Sequence, residues 1–455
     1  MVDRLIQKKS LCSGSNKKSL FVFIINLMYT LGNMYKKTIL KNGLRIITVP
    51  DKNTQAVTVL ALAKVGSKYE NREISGISHF LEHMFFKGTK KRPTPMAVVE
   101  TLDKIGGEYN AFTGEEYTGY YAKVEASHFD LALDWVADIF LNSTLPTKEI
   151  EKEKGVIVEE INMYLDNPML YVQTLWRKVL YGDQPAGWDI AGSKSTVRSI
   201  SRQELSDYRR KHYTAPNSLI CIAGNIDEQD TIRKVEKYFF KLNKAKSAKK
   251  IEVVEKQIKP KSLPYFKKTD QTHLCLGVRG YNLFHPQKYA FQLLATILGG
   301  MMSSRLFMEV RERLGLAYYI STSIESDPDS GFLLTRAGLD NKNVEKAIKA
   351  ILKEYKKISQ EIVGPEEIKK AKEYIKGKMA LSLEASDALA SFYSAQELLK
   401  NEILTPREIF REIEKVDAKE ILAVAKDIFQ PEKLNLALIG PFKDKKRFEN
   451  LLKAF

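Results

Sequence analysis

Residues 44–50 and 56–66 alternate apolar and polar side chains and are rich in valine and isoleucine. That two-residue period predicts paired strands around the turn Asp51-Lys52-Asn53. Met34 would open a first strand running from Lys36 to Pro50. The period then lengthens. Residues 75–87 read as a helix, and Pro95 to Ile105 as another that stops at Gly106-Gly107. Tyr109 to Val124 is strand-like with a break near Gly114. From Ser127 to Asn142 the pattern is helical, with Phe129, Leu133, Val136 and Phe140 on one face. A long helix spans Thr147 to Leu165 and ends before Pro168, because the residue before a proline is pushed out of the helical region. Ser201 and Glu204 make a capping box for a helix reaching His212. Ser218 to Ala223 is a short buried strand.

The lysine-rich stretch 243–262 has little apolar periodicity at its start and divides the chain after Met34 into halves of similar length. Landmarks recur between the halves. Pro216–Gly224 (PNSLICIAG) parallels Pro431–Gly440 (PEKLNLALIG) at an offset of 215. Glu149-Ile150 and Glu367-Ile368 open helices after prolines at an offset of 218, and Gly88 and Gly300 stand 212 apart. Near-constant offsets predict an internal duplication. The expected class is α+β: a domain at 34–242, a linker at 243–262 and a related domain at 263–455. Each would be a mainly antiparallel sheet with helices packed on one face.

A chain of 455 residues with 44% hydrophobic side chains can bury a real core. No run approaches the roughly 18 apolar residues of a spanning helix, so no stable membrane span is expected. The net charge of +16 leaves anionic partners open. Most lysines, however, sit at helical spacing beside glutamates, as in Lys148–Lys154, which describes a solvated face. No RNA-binding signature occurs, and no nucleic-acid partner is expected. Cys12, Cys221 and Cys275 are far apart, which suits a reducing compartment, the cytoplasm, and argues against a disulfide framework. Residues 1–33 are ambiguous. Lys17 and Lys18 precede the apolar stretch Leu20–Leu31, as in a signal segment that would make the protein secreted or membrane-associated. No small-x-small cleavage site follows, which favours an extension upstream of the functional start.

The chemistry concentrates in Ser78-His79-Phe80-Leu81-Glu82-His83-Met84. Positions i and i+4 share a helix face, so His79 and His83 can aim both imidazoles at one metal ion. Glu82 can reach a water there without being a ligand. The order reverses that of His-Glu-x-x-His peptidases and is the inverzincin pattern. Two imidazoles do not complete a catalytic zinc site, which takes three protein ligands. Glu153–Ile161 (EKGVIVEEI) offers the third. Glu153 and Glu160 are two helical turns apart and share a face, while Glu159 points about 100° away from Glu160. Val156, Ile157 and Ile161 read as core-facing, so a carboxylate beside them would be buried and in need of a metal or partner.

With these residues in place, the chain resembles the pitrilysin/insulinase family of zinc metallopeptidases, in particular its mitochondrial-processing-peptidase-like branch. The resemblance covers nearly all of residues 34–455. It is strongest at Gly76–Thr89, Glu153–Ile161 and Leu298–Tyr319 (LGGMMSSRLFMEVRERLGLAYY). It implies one zinc per chain held by His79, His83 and Glu160, with Glu153 orienting the ligands and Glu82 as general base. It implies that Asn110, Ala111, Phe112 and Thr113 bind substrate backbone by strand addition. It assigns Arg311 and Tyr318 to the substrate near the zinc, Tyr318 donating to the developing oxyanion. The implied activity is a zinc endopeptidase acting on peptides or extended segments, working as a homodimer or with a silent paralogue. The second half lacks the motif, since Phe291, Leu294 and Ala295 face the positions of His79, Glu82 and His83, and Lys378 that of Glu160. The competing reading is a catalytically silent scaffold subunit, which would usually have lost part of the zinc motif.

Overall fold

The computed structural model describes residues 35–455; the signal-like or upstream segment 1–33 lies outside the described residues. The first half forms a six-stranded sheet from β1 (Lys36–Ile39), β2 (Arg45–Pro50), β3 (Ala56–Ala63), β4 (Glu108–Thr113), β5 (Thr118–Glu125) and β6 (Ser218–Gly224). Its strand order is β1-β2-β6-β3-β5-β4. Two expectations change here. Residues 36–50 are two strands, because the chain reverses at Asn42-Gly43, where Gly43 has φ +91°; Asn-Gly is the strongest short turn signal. Nor do β2 and β3 pair. β6 lies between them, parallel to β2 and antiparallel to β3. All seven residues of β6 are buried, and a strand with no polar face belongs in the middle of a sheet.

The second half repeats the plan with β7 (Lys261–Phe266), β8 (Gln271–Arg279), β9 (Ala317–Ser326), β10 (Gly331–Asp340) and β11 (Leu434–Gly440), in the order β7-β11-β8-β10-β9. Strand for strand this is β2-β6-β3-β5-β4, down to the single parallel pair, β7 with β11. Both sheets are mainly antiparallel, as expected for two related α+β domains. Residues 243–260 carry neither helix nor strand.

The helices that place the site are α1 (Ile77–Met84), α2 (Phe129–Asn142), α3 (Thr147–Asp166) and α4 (Pro168–Tyr181), with α5 (Ser386–Lys400) from the second half. Helices cover both faces of each sheet rather than one, and the halves exchange the second cover. α2 packs on β3 and β5 of its own sheet. α4 lies on β8 and β11 of the other sheet, burying Val172, Leu175, Trp176, Val179 and Leu180 against Cys275, Phe332, Ala437 and Ile439. α5 returns the arrangement on β3 and β6, where Ser386 Oγ meets Thr58 Oγ1 at 2.8 Å. At about 2 kcal/mol per buried apolar side chain, the five of α4 alone approach the whole stability of a typical domain. Residues 37–455 therefore form one compact body.

Candidate metal centre and cleft

The start of α1 is fixed by its backbone. It opens at Gly76, φ +97°, where a Cβ would stand 2.6 Å from the Ala191 carbonyl oxygen. Glycine cannot cap with a side chain, and Glu70 caps from six residues upstream. Its two carboxylate oxygens accept the N–H groups of Gly76 at 2.7 Å and Ser78 at 2.9 Å. Ile77, Phe80, Leu81 and Met84 face the core, which leaves His79, Glu82 and His83 on the opposite side. α3 packs against that side.

From α3, Glu160 Oε2 lies 3.6 Å from His79 Nε2 and 3.5 Å from His83 Nε2. One ligand atom from each of the three residues falls within 4.8 Å of the others. Two turns earlier, Glu153 accepts from His83 Nδ1 at 3.1 Å and pairs with Lys87 Nζ at 2.7 Å. That bond leaves Nε2 of His83 free to face Glu160. Glu159 points away, is exposed, and accepts from Asn162 at 3.1 Å. One expectation fails on this helix. Ile157 is buried and Ile161 packs on the core, but Val156 is 50% exposed because it stands one turn before Glu160 on the same open face.

The donor set suits a divalent cation. Tetrahedral ligands at 2.0–2.1 Å lie about 3.3 Å apart, close to the two separations just given. Neither nitrogen of His79 makes a hydrogen bond among the described residues, and its Nδ1 is buried without a partner. Burial, with His83 beside it, pushes the His79 pKa down to about 4, keeping the ring neutral as a ligand must be. His83 is half-buried, which lowers its pKa, but hydrogen bonds to Glu153 and Glu160 outweigh that and raise it to about 9. The bond from His83 holds Glu160 below the ordinary carboxylate range. Burial pushes Glu82 up, against the hydrogen bond from Thr113 and the nearby His83.

A cleft of about 420 Å³ opens over these residues, lined in part by His79, Glu82, Glu160, Ala111, Phe112 and Thr113. β4 is the outermost strand of its sheet, with one edge unpaired among the described residues. Thr113 donates to Glu82 Oε2 at 2.5 Å, a partnership that the sequence pattern does not reveal. Asn110, exposed, accepts its neighbour's backbone N–H, that of Ala111, at 2.9 Å and does not line the cleft. Other lining residues, Tyr164, Arg177, Trp188 and Asp189, come from α3, α4 and the loop after it. Trp188-Asp189 in a loop is the one local hint of these. Arg311 and Tyr318 are not brought here. Arg311 lies over the Phe307 ring at 4.7 Å in a π-helical turn, and Tyr318 is 76% exposed. Tyr318 stands seven residues up β9 from Glu325, a partner of the cleft residue Arg177; that is about 23 Å of strand. In the second half, Phe291, Leu294 and Ala295 are core residues and Lys378 is exposed.

Fold and site together define a duplicated α+β protein with a His-x-x-Glu-His metal-type centre in its first half. Residues 45–194 match the family described as Insulinase (Peptidase family M16), and residues 199–375 match its Peptidase M16 inactive domain. An uncharacterized zinc protease of Bacillus subtilis is 38% identical over 408 residues, 90% of this chain and 98% of its own. An uncharacterized zinc protease of Rickettsia bellii is 36% identical over 408 residues, 88% of this chain and 96% of its own. The chain belongs to the M16, or insulinase, family of peptidases. Among solved structures, a protease from Helicobacter pylori superposes with a TM-score of 0.83 at 22% identity, covering 90% of this chain and 99% of that one. A peptidase M16 inactive domain from Pseudomonas fluorescens gives 0.82 at 17% identity, with the same shares covered. At such identities these two speak for the fold alone. Among the described residues no helix is long and apolar enough to cross a membrane.

Proposed function

We propose that the chain is a zinc-dependent endopeptidase that cleaves peptides or extended segments, with one zinc held by His79, His83 and Glu160. The observation that carries this reading is the convergence of those three ligand atoms within 4.8 Å, beside Glu82. Zinc, when bound, acts as a Lewis acid that makes a water molecule nucleophilic near neutral pH. Glu82 accepts the proton of the attacking water and delivers it to the leaving amine. Thr113, donating to one oxygen of Glu82, leaves the other for that water. Glu153 holds the His83 ring in the tautomer a ligand needs. The free edge of β4 takes the substrate as an added strand, which recognises backbone and tolerates varied side chains.

The exposure of Tyr318 and its distance along β9 support a dimer, of this chain or with a paralogue, in which Arg311 and Tyr318 serve the partner's cleft. The buried free thiols Cys221 and Cys275 fit a cytoplasmic location, which cell fractionation would test. A silent scaffold would be expected to lack part of the ligand set, and the presence of all three candidate ligands beside Glu82 supports the peptidase reading instead. Hydrolysis of an unstructured peptide should stop on chelation and return with added zinc, while the same sequence in a folded protein should be cut far more slowly. Unchanged cleavage by metal-free protein would contradict the reading.

A further inference from the structure

The strand that floors the cleft ends in the hairpin tip Gly114–Tyr117, and the repeat of the fold puts an equivalent tip, Asp327–Ser330, between β9 and β10. Two cations of the first half join these tips. Glu115 Oε1 accepts from Arg177 Nη2 at 2.8 Å, and the same nitrogen reaches Glu325 Oε1, at the end of β9, at 2.6 Å. Glu116 Oε1 lies 3.1 Å from Lys68 Nζ, which also binds Asp327 at 2.6 Å and Asp329 at 3.1 Å. Lys250, from the segment between the halves, binds Glu116 and Asp329 as well. The Lys68 side chain is wholly enclosed. Burial works against its charge, but the surrounding carboxylates outweigh burial and raise its pKa.

The tip also touches the lead-in to the metal helix. Ser67 and Lys68 donate their backbone N–H groups to the carbonyls of Gly114 and Glu115 at 3.2 and 3.1 Å. Thr113, which bonds Glu82, is the residue before the tip. An outermost strand is hydrogen-bonded on one side only, and such strands open first. A strand that must receive substrate has to be ordered beforehand. We propose that Lys68 and Arg177, with Glu115 and Glu116, form a two-cation clamp that positions β4 and Thr113 against Glu82. It makes the second half, which has no converging metal-type group of its own among the described residues, part of the active geometry. Its effect on turnover rests on the catalytic reading above; its effect on β4 does not.

The test is the double variant Glu325→Gln/Asp329→Asn, whose two changes lie in the second half and remove one second-half carboxylate from each cation. Hydrogen exchange of backbone amides 108–118 should quicken by about ten-fold, with the other strands of that sheet unchanged. Zinc content should match the wild type, and kcat should fall by about ten-fold with KM raised, since the edge that receives substrate is also loosened. Arg305→Gln, which breaks the Arg305–Glu367 pair elsewhere in the second half, should leave both readouts unmoved. Glu325→Asp should recover part of the lost protection. If the double variant does not fold, Glu325→Gln alone, which leaves every partner of Lys68 in place, is read in the same way. Unchanged exchange at 108–118 overturns the clamp, as does faster exchange with undiminished turnover. If the wild type proves not to be a peptidase, exchange alone decides, so the two readings fail separately.

Discussion

Glu159 and Glu160 are neighbours in sequence and opposite in fate. One accepts from Asn162 in solvent; the other faces two imidazoles. Helical phase alone places Glu153 and Glu160 on one face. Which face meets α1 depends on how α3 packs, and residues 153–161 do not carry that information. Val156 shows the limit, since an apolar residue beside core residues shares the open face with Glu160. Thr113 shows another. Its motif suggests substrate, while its hydroxyl belongs to Glu82, 31 positions away. Zinc affinity measured on purified variants should separate the glutamates. Glu153→Gln should weaken binding about 10–100-fold as a residue that orients a ligand, and Glu160→Gln should weaken it more. Glu159→Gln should bind as the wild type does. Equal zinc affinity for Glu159→Gln and Glu160→Gln would remove Glu160 from the ligand set.

Among elements, β2 and β3 are legible in the sequence as strands, although both are buried on both faces, and the central β6 is not placed by it. Alternation finds β2 and β3, yet their adjacency in sequence suggests a hairpin that β6 prevents. The apolar run of β6 is the available signal, because a strand without a polar face needs cover on both sides. That cover comes from α5, over 160 residues later, and no local pattern announces it. The helix Arg202–His212 carries a different consequence. Its last residue is buried, with Nδ1 3.0 Å from Ser247 Oγ. Burial, and next Lys211, lower the His212 pKa to about 4. Between that value and the ordinary one near 6.5, the unfolded chain binds the proton and the native state does not. Stability is therefore complete above pH 6.5 and lost as the pH falls toward 4. The loss from this residue between pH 7 and pH 5 should be about 2 kcal/mol. Urea unfolding of wild type and His212→Gln at both pH values isolates it from the proposed metal ligands. Equal pH dependence in the two proteins would show that His212 is protonated in the native state.

At the scale of the molecule, the duplication can be read from offsets near 215, and the matching strand orders bear it out. The exchange of α4 and α5 cannot, because each looks locally like a helix of its own half. Exchange makes separation of the halves costly, so motion that admits substrate should occur between chains. Light scattering should give twice the mass of one chain, for this protein or with a paralogue. Mixing Glu82→Gln with Tyr318→Phe chains should restore activity that neither has alone. An active monomer, or no recovery on mixing exchanged chains, would contradict completion of the cleft by a second chain. Zinc content and peptide hydrolysis, measured on one preparation of Glu82→Gln, test the proposed chemistry most directly. That protein should hold about one zinc per chain and cleave at least about 100-fold more slowly than the wild type. Zinc-loaded Glu82→Gln cleaving at the wild-type rate would contradict the assignment of Glu82 as the base.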